Sequence, residues 1–528
     1  MNSAWITARK RASGTFQTPR SLVKITRRCI STRELDENKG DRERVVILGS
    51  GWAGFGLATQ LDKRKFQTVI VSPRSYFVFT PLLASTAVGT LEFRTTLEPV
   101  RSRRSEIEYY QGWADGIEFT KKIVKVEEAS IHQPTGSTSG TSGEARGSIS
   151  PSVSSPDTLK VQRGEIFDLK YDKLVIAVGC YSQTFGTKGV KENAYFLKDV
   201  GDARKIRKRI LECFETAALP TTPLELQKKL LNFAIIGGGP TGVEFSAELF
   251  DLCHEDLKRL YPDLIEHVKI TIYDVAPKIL PMFDANLADY AMKLFARDGI
   301  SIKTEHHIQE LRPGLPEQKP GEKDGGCFTL RTKEDGDIGV GMCVWSTGLM
   351  MNPFIANGLN VPHKYPSNSA FINSSSNSPI SPSIQEWSLK RHPKTGGLMV
   401  DDHFRIKLTS SPDSSSTGSN KSSSGQVEAT MKDVFALGDV AVMEKSQLPA
   451  TAQVANQEAK WIGKRLNAGD VDKESFTYKN LGVMTYLGNM KAIMQTEGNT
   501  EIKGWRNKLL IPMYWAINWI FGRDISRF

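Results

Sequence analysis

The sequence contains few cysteines, and their spacing argues against cysteine-based redox or metal chemistry. Its 528 residues include only Cys29, Cys180, Cys213, Cys253, Cys327 and Cys343. None of them stands in a C-x-x-C pair, and none lies between Gly49 and Gly179, so a dithiol reductase is not expected. The eight histidines are dispersed, and the adjacent pair His306 and His307 has no further ligands at a suitable spacing. We therefore expect no metal site.

The sequence also lacks a long hydrophobic run. No apolar stretch reaches the roughly 18 residues that a membrane-spanning helix needs. The nearest candidate is residues 509–521, which contain Tyr514, Trp515 and Trp519 and are flanked by basic residues. Aromatic rings beside cations suit the headgroup boundary, so this stretch predicts a helix lying on a membrane surface. A buried C-terminal core helix is the alternative.

The first 33 residues lack acidic side chains. They carry eight of the 69 Lys and Arg residues. The rest of the sequence contains 61 basic and 59 acidic residues, so its net charge is close to zero. A basic, acid-free segment rich in hydroxyl residues is typical of a mitochondrial presequence, and a basic tail is the alternative. The basic clusters at 101–104 and 204–209 have no interleaved aromatic residues. We interpret them as solvated faces, so no nucleic-acid partner is expected.

Glycine is abundant in two loops of the form G-x-G-x-x-G. The loops are Gly49-Ser50-Gly51-Trp52-Ala53-Gly54 and Gly237-Gly238-Gly239-Pro240-Thr241-Gly242. Each follows an apolar strand, at 44–48 and at 232–236, and precedes a helical pattern, which is the context of a dinucleotide fingerprint. The glycines permit a tight turn, approach of the backbone to a pyrophosphate, and close packing of helix on strand. Two loops predict two dinucleotides: a bound flavin and an exchanging nicotinamide.

The residue that ends the second strand of each unit bears on the choice of dinucleotide. In the second unit this residue is Asp274, 37 residues after Gly237. A carboxylate there can bind a ribose hydroxyl and repels a 2′-phosphate, which favours NADH over NADPH. In the first unit the corresponding residue is Ser72, close to Arg74. The hydroxyl can bind a ribose and the guanidinium a phosphate.

The remaining pattern alternates strands and helices, which predicts an α/β fold with parallel sheets. Strands end in small residues at Gly179 and Gly348, where a chain would pass a cofactor, and Asp439 follows another apolar strand. Asp439 is a candidate for the flavin ribityl chain, with a helix cap as the alternative. We expect a nicotinamide domain at 226–349 nested in a flavin domain at 41–225 and 350–470. A membrane-association region follows at 471–528. Segments rich in Ser, Gly and Pro at 133–158, 312–326, 365–384 and 410–425 are read as surface insertions.

Several longer motifs resemble one family. They are the segments 72–83 (SPRSYFVFTPLL), 345–348 (WSTG), 435–439 (FALGD), 449–459 (PATAQVANQEA) and 521–524 (FGRD). With the glycine loops, they resemble the type II (alternative, rotenone-insensitive) NADH:ubiquinone oxidoreductases of fungal mitochondria. The resemblance covers most of residues 44–528. It implies non-covalent FAD in the first unit, NADH in the second, and ubiquinone arriving at the surface of the inner membrane. A homodimer and a monomer both stay open.

The resemblance also assigns roles near the flavin ring. Thr80 and Pro81 would flank the ring, and a helix starting at Thr451 and Ala452 would point at its pyrimidine end. The positive end of a helix dipole would stabilise the negative charge of a reduced flavin there.

The same resemblance assigns a quinone site. Gln453 and Gln457 are four residues apart and therefore share a helix face; their amides would bind the quinone carbonyl oxygens. Glu244 would act in positioning or as a proton relay. From the residues alone, two glutamines on a polar helix face and a first-turn glutamate are the simpler alternatives.

Two other classes share the double fingerprint. A sulfide:quinone oxidoreductase lacks a working NADH loop, whereas this sequence has Gly237 to Gly242 and Asp274. A flavoprotein resembling the apoptosis-inducing factors would bind NADH as a sensor. Such a sensor needs neither the paired glutamines nor the aromatic C-terminal stretch. Membrane partitioning distinguishes the sensor from the oxidoreductase.

Overall fold

The computed structural model describes residues 31–101, 106–129, 164–318, 321, 323–359, 362–363, 370–373, 386–410, 428–489, 491–496 and 501–502. Residues up to Asn38 and residues from Lys39 onward form two units. In the first unit, α1 (Thr32–Glu37) begins with a capping box, in which Ser31 and Glu34 each accept the other's backbone N–H. Residues 1–30 of the predicted presequence and the predicted surface helix at 509–521 lie outside the described residues.

The second unit alternates helices with strands. Its helices are α2 (Trp52–Ala58), α3 (Leu83–Val88), α4 (Val190–Asn193), α5 (Val200–Ala217), α6 (Leu224–Leu230), α7 (Pro240–Asp251), α8 (Lys258–Leu260), α9 (Ala285–Asp298) and α10 (Ala452–Ala468). The strands of its first part are β1 (Glu43–Leu48), β2 (Phe66–Ser72), β3 (Tyr76–Val78), β4 (Leu97–Pro99), β5 (Glu108–Glu118), β6 (Ile123–Glu128), β7 (Ile166–Lys170), β8 (Lys173–Ile176) and β9 (Cys180–Ser182). The middle part contributes β10 (Tyr195–Phe196), β11 (Asn232–Ile236), β12 (Lys269–Tyr273), β13 (Ser301–Lys303), β14 (Ile308–Pro313), β15 (Phe328–Thr332), β16 (Gly336–Val340), β17 (Met342–Trp345) and β18 (Leu349–Met351). The last strands are β19 (Ala370–Asn373), β20 (Trp387–Leu389), β21 (Leu398–Val400), β22 (Arg405–Ser410), β23 (Glu428–Ala436), β24 (Ala441–Met443), β25 (Val483–Tyr486), β26 (Ala492–Gln495) and β27 (Glu501–Ile502).

The larger sheet takes strands from both ends of this unit. Its order is β24-β21-β22-β23-β8-β1-β2-β5-β6-β7, and the neighbours from β23 to β5 are parallel. Val45, Val46 and Ile47 of β1 are fully buried, because a parallel strand covered on both faces is apolar along its length. The first glycine loop follows β1, and Asp439 lies just beyond β23. Both therefore lie at the carboxyl edge of the sheet, where α/β folds bind nucleotides.

The smaller sheet has five parallel strands in the order β10-β17-β11-β12-β13. Helices α5, α7 and α9 contribute side chains such as Phe214, Phe245 and Phe295 to the hydrophobic core around it. Its strands all lie, in sequence, between β8 and β23 of the larger sheet. The predicted α/β fold with two nested dinucleotide-binding sheets is confirmed.

Three details differ from the sequence expectations. The segment at 365–384 contains the strand β19, which pairs with β23, and the segment at 312–326 begins with the end of β14, so neither is wholly irregular. The membrane-association region at 471–528, which the sequence predicts to be helical, also contains the antiparallel sheet β25-β26-β27. The sequence pattern predicts a helix at 241–252 after the second loop, whereas α7 ends at Asp251 and continues as the π turn Leu252–Leu257. In the described part of the chain, no helix combines the length and apolarity needed to span a bilayer.

Candidate active site

The first glycine loop is built so that only its middle glycine faces open space. Gly49 has φ +108°, and a Cβ there would overlap the backbone of Ala177, which follows β8. A Cβ on Gly54 would overlap the Gly49 carbonyl, so this glycine brings α2 close to the loop. Around Gly51 a Cβ would meet nothing within 4 Å. The loop therefore offers room for a phosphate beside its backbone, as a dinucleotide requires.

The second loop repeats this design. Gly237 has φ +114°, and a Cβ there would lie 2.9 Å from Thr347; one on Gly242 would overlap the Gly237 carbonyl. Gly239 again faces open space and begins α7 without a side-chain cap. Phosphate oxygens can accept hydrogen bonds from the uncapped N–H groups of such a helix end.

Asp274 lies directly beside the second loop. Its Oδ2 accepts a hydrogen bond from the backbone N–H of Gly238, and its Oδ1 accepts one from Ala276 at 2.7 Å. The carboxylate is thus fixed at the end of β12, where a ribose hydroxyl would pass. Each oxygen keeps a second lone pair for that hydroxyl.

The corresponding residues beside the first glycine loop are engaged within the protein. The Ser72 hydroxyl is buried and lies 2.9 Å from the Ser50 hydroxyl. The Arg74 guanidinium pairs with Asp199, the residue that caps α5. The predicted contacts of Ser72 with a ribose and of Arg74 with a phosphate would require these partners to be shared or exchanged, and both stay predictions.

Asp439 belongs to a polar cluster that sequence reasoning missed in part. The Cys180 thiol donates a hydrogen bond to the Asp439 carboxylate at 2.8 Å, and Lys198 donates to the Cys180 carbonyl oxygen at 3.0 Å. Burial and the neighbouring carboxylate raise the pKa of Cys180 to about 12, so this thiol is neutral and acts as a donor. Asp439 lies within the short 3₁₀ turn Gly438–Val440 and is not its cap. Gly179 precedes the cluster with φ +67° and open space beside it.

A buried glutamate also contacts this turn. Glu458 on α10 accepts a hydrogen bond from the Gly438 backbone N–H at 2.6 Å. Burial, with a smaller contribution from Asp439, raises its pKa to about 7. Neither Glu458 nor Lys198 was predicted. The only sequence signal for Glu458 was its position directly after Gln457 in a motif already singled out.

The amides of Gln453 and Gln457 both bind the same backbone segment. Gln453 donates to the Gly482 carbonyl at 3.2 Å and accepts from Leu481. Gln457 donates to the Lys479 carbonyl at 2.8 Å and accepts from the Lys479 N–H. The two side chains do share one helix face, and that face is covered by the segment 478–482. A quinone contact of either amide stays a prediction and requires this segment to give up a hydrogen bond.

The helix predicted to start at Thr451 and Ala452 is present as α10, and Thr80 and Pro81 lie in a turn; their placement beside the flavin ring stays a prediction. Thr451 caps α10, and its hydroxyl accepts from the Val454 N–H at 3.3 Å, so the helix proper begins at Ala452. Thr80 and Pro81 begin the 3₁₀ turn Thr80–Leu82, and the Thr80 hydroxyl accepts from the Trp52 indole N–H at 3.0 Å. Trp52 follows Gly51 of the first loop, so this turn borders the loop.

Two glutamates of α7 lie on one side of the helix. Glu244 is partly buried and accepts a hydrogen bond from the Thr485 hydroxyl at 2.9 Å; burial raises its pKa to about 8. Glu248, one turn further, is buried and accepts from Ser85 at 2.6 Å and from Thr90 at 2.7 Å. Burial also raises the pKa of Glu248. A group with a pKa near 8 is protonated at neutral pH and can act as an acid.

The described cysteines and possible metal ligands form no further centre. Cys180, Cys213, Cys253, Cys327 and Cys343 are all free thiols. Within the described ranges, no three His, Cys, Asp or Glu side chains are grouped as metal ligands would be.

Comparisons with known proteins agree with this geometry. Residues 43–374 match the family of pyridine nucleotide-disulphide oxidoreductases. A probable NADH dehydrogenase of Dictyostelium discoideum is 32% identical over 92% of this chain and 92% of its own length. An external alternative NADH-ubiquinone oxidoreductase of Yarrowia lipolytica mitochondria is 28% identical over 92% of this chain and 81% of the relative.

A solved structure shares the fold. The structure of NDH2 from Plasmodium falciparum in complex with NADH superposes with a TM-score of 0.66, at 22% identity, over 90% of this chain and 95% of that one. The matched family region holds both glycine loops, and the relatives extend the match to nearly the whole chain. This chain therefore belongs to the pyridine nucleotide-disulphide oxidoreductase family and, within it, to the alternative, type II NADH dehydrogenases.

Proposed function

We propose that this protein is a flavin-dependent, non-proton-pumping NADH:ubiquinone oxidoreductase that passes electrons from NADH through FAD to membrane quinone. The observation that carries the proposal is the pair of loops whose middle glycines, Gly51 and Gly239, face open space beside parallel sheets. Two such cradles on one chain fit one resident and one exchanging dinucleotide.

FAD belongs in the first loop. Gly49, Gly51 and Gly54 would hold its pyrophosphate non-covalently, and the cluster around Asp439 and Gly179 lies at the same sheet edge. Further residues assigned to FAD by resemblance are Ser72, Arg74, Thr80, Pro81, Thr451 and Ala452. Two observations support this placement: a Cβ at Gly51 would meet open space, and so would one at Gly179, which has a positive φ.

NADH belongs in the second loop. Gly237, Gly239 and Gly242 would hold its pyrophosphate, and Asp274 would bind the adenosine ribose. Gly348 lies three residues beyond the neighbouring strand β17 and directly before β18. A carboxylate at Asp274 supports NADH as the preferred substrate, because it would repel the 2′-phosphate of NADPH.

When bound, FAD would accept a hydride from NADH and pass the two electrons on to a quinone. Reduction of the quinone also consumes one proton beyond the hydride, and this proton comes from solvent. Glu244 can hold it, since its pKa is raised to about 8 and the Thr485 hydroxyl fixes one carboxylate oxygen. Gln453 and Gln457 would orient the quinone carbonyl oxygens if the segment 478–482 releases their amides.

We further propose that the protein acts on the surface of the mitochondrial inner membrane. The basic, acid-free segment 1–33 and the aromatic stretch 509–521 support this location. A quinone held in a bilayer is accessible only to an enzyme that docks there. A homodimer stays an open alternative.

Both alternative functions are less well supported. A sulfide:quinone oxidoreductase shares the fold but needs reactive sulfur chemistry, whereas burial keeps the Cys180 and Cys343 thiols neutral, with pKa values of about 12. An NADH-binding sensor would not need a carboxyl group such as Glu244, whose pKa of about 8 lies close to neutral pH.

Anaerobic absorbance of the bound flavin tests the proposal. Adding NADH should bleach the flavin, and adding a short-chain ubiquinone should restore its absorbance. Bleaching without recovery would overturn the quinone assignment. A flavin that NADH does not bleach would overturn the dehydrogenase itself.

A further inference from the structure

Phe185 occupies a backbone position that rarely holds an aromatic residue. It lies in the turn 184–187, closed by a hydrogen bond from the Thr187 N–H to the Thr184 carbonyl at 2.9 Å. Phe185 has φ +53° and Gly186 φ +72°, as in the type I′ turn, whose central positions favour Asn, Asp and Gly. A bulky side chain in the left-handed region is strained, and such strain is found where a residue serves a function.

The Phe185 side chain projects from this turn onto Gly348. A Cβ on Gly348 would lie 2.7 Å from the ring's Cε2 and 2.8 Å from its Cζ, so only glycine lets the ring approach the backbone there. The adjoining backbone is fixed by the Trp345 indole, which donates to the Gln183 carbonyl at 2.9 Å. Phe185 as a whole is nevertheless 62% exposed. Its position is thus determined by the protein while most of its surface is free for a ligand.

The turn stands next to the second dinucleotide loop. Ile236 at the end of β11 pairs with Trp345 at the end of β17. The following residue, Ser346, donates to the Ile236 carbonyl at 2.9 Å and lies against Gly237. Phe185 therefore borders the edge from which the pyrophosphate cradle opens.

The strand order decides which half of the dinucleotide passes Phe185. A dinucleotide crosses such a sheet at the point where the strand order reverses, which is here between β11 and β17 in the order β10-β17-β11-β12-β13. Asp274 marks the adenosine half on the β12 side of the loop. The nicotinamide half must extend to the β17 side, over Gly348.

We propose that Phe185 is a binding residue for NADH whose ring covers the nicotinamide half against solvent. This inference rests on the proposed function, because it requires NADH in the second loop. A ring held on a rigid turn excludes water and loses little conformational entropy when the ligand arrives. That gain would offset the strain of an aromatic residue at a position where asparagine would fit better.

Substitution by asparagine separates binding from turn geometry. Phe185→Asn removes the ring and relieves the turn, so the melting temperature should stay equal or rise. The Kd for NAD⁺, measured by calorimetry on the FAD-loaded protein, should rise about two- to tenfold, as for loss of one aromatic contact. The KM for NADH should rise similarly with little change in kcat. Phe185→Tyr should retain the affinity, and Leu260→Asn, at another exposed apolar residue, should change neither constant.

Two results would overturn the inference. One is an unchanged Kd in Phe185→Asn, and the other is an equal rise in Leu260→Asn. If Phe185→Asn melts lower than the wild type, the Kd of Phe185→Leu is measured as well. Leucine keeps an apolar side chain, so this variant should lose less affinity than Phe185→Asn, and an equal loss would overturn the inference. A wild-type flavin that NADH fails to bleach would instead refute the proposed function.

Discussion

Thr485 donates a hydrogen bond to Glu244 across 2.9 Å and joins two elements that are 241 residues apart in sequence. Thr485 lies on β25 and is fully buried, while Glu244 is the fifth residue of α7, beyond its first turn and just after the second glycine loop. The hairpin of β25 and β26 therefore sets the position of a carboxyl group beside the proposed NADH site. Substitutions in this hairpin should therefore alter the acid–base behaviour of Glu244.

Glu244→Gln should alter how stability depends on pH. The pKa of Glu244 is about 8 in the folded protein, against an ordinary 4.5. Its contribution to stability is complete below pH 4.5 and is lost as the pH rises through 8, because unfolding releases the buried acid to ionise. Wild-type protein should lose about 3–4 kcal/mol between pH 5 and pH 8 that the glutamine variant keeps. Thermal melts at both pH values measure the difference, and parallel pH dependences would contradict it.

Gly239→Ala and Gly242→Ala should fail in different ways. At Gly239 an added Cβ meets open space, so the variant should fold normally and bind NADH more weakly, because the methyl group would occupy the phosphate cradle. At Gly242 the Cβ would overlap the Gly237 carbonyl, so the free energy of unfolding should fall by about 2 kcal/mol or more. Melting temperatures and the Kd for NAD⁺ separate the two, and similar melting temperatures in both variants would refute the packing argument.

Glu248→Ala should destabilise the contact between α3 and α7. Glu248 is buried and accepts from Ser85 and Thr90, so truncation leaves a cavity and removes the acceptor of a buried hydroxyl. We expect a loss of about 2–4 kcal/mol in the free energy of unfolding, measured by denaturant titration. Glu248→Gln is the matched control: it keeps the volume and can bond both hydroxyls, so its loss should stay below about 1 kcal/mol. Equal losses in the two variants would rule out the hydrogen-bond explanation.

Asp274→Asn should weaken the discrimination between NADH and NADPH. The variant keeps an oxygen near the loop and removes the negative charge that would repel a 2′-phosphate. The ratio of kcat/KM for NADH to that for NADPH should fall about tenfold, a change of about 1.4 kcal/mol. Steady-state rates with both dinucleotides give this ratio. A ratio that does not change would show that Asp274 serves only the backbone of Gly238 and Ala276.

Local patterns in the sequence predicted the scaffold well. The strands predicted at 44–48 and 232–236 agree with β1 and β11, because buried parallel strands are short apolar runs bounded by glycine or polar residues. The different roles of the three glycines also follow from their spacing, since each spacing corresponds to one backbone geometry.

Contacts between distant segments were not predictable in the same way. Nothing near Gln453 indicates that its amide is held by residues 478–482, nor does the sequence around Cys180 point to Lys198. The strand β19 was hidden because only four residues of a polar segment pair with β23. Such contacts depend on the folded path of the chain, which no local spacing records.

The nesting of the sheets has a consequence for the order of folding. The strands of the five-stranded sheet are complete once Trp345 has been made, whereas the larger sheet still lacks β23, which pairs with β8. During synthesis from the N-terminus, or during entry into an organelle in that direction, the inner sheet can fold first as a unit. The unpaired edge of β8 must wait for residues 428–436. Until then that edge is open to wrong pairing, so chaperone binding should be strongest while this long interval of chain emerges.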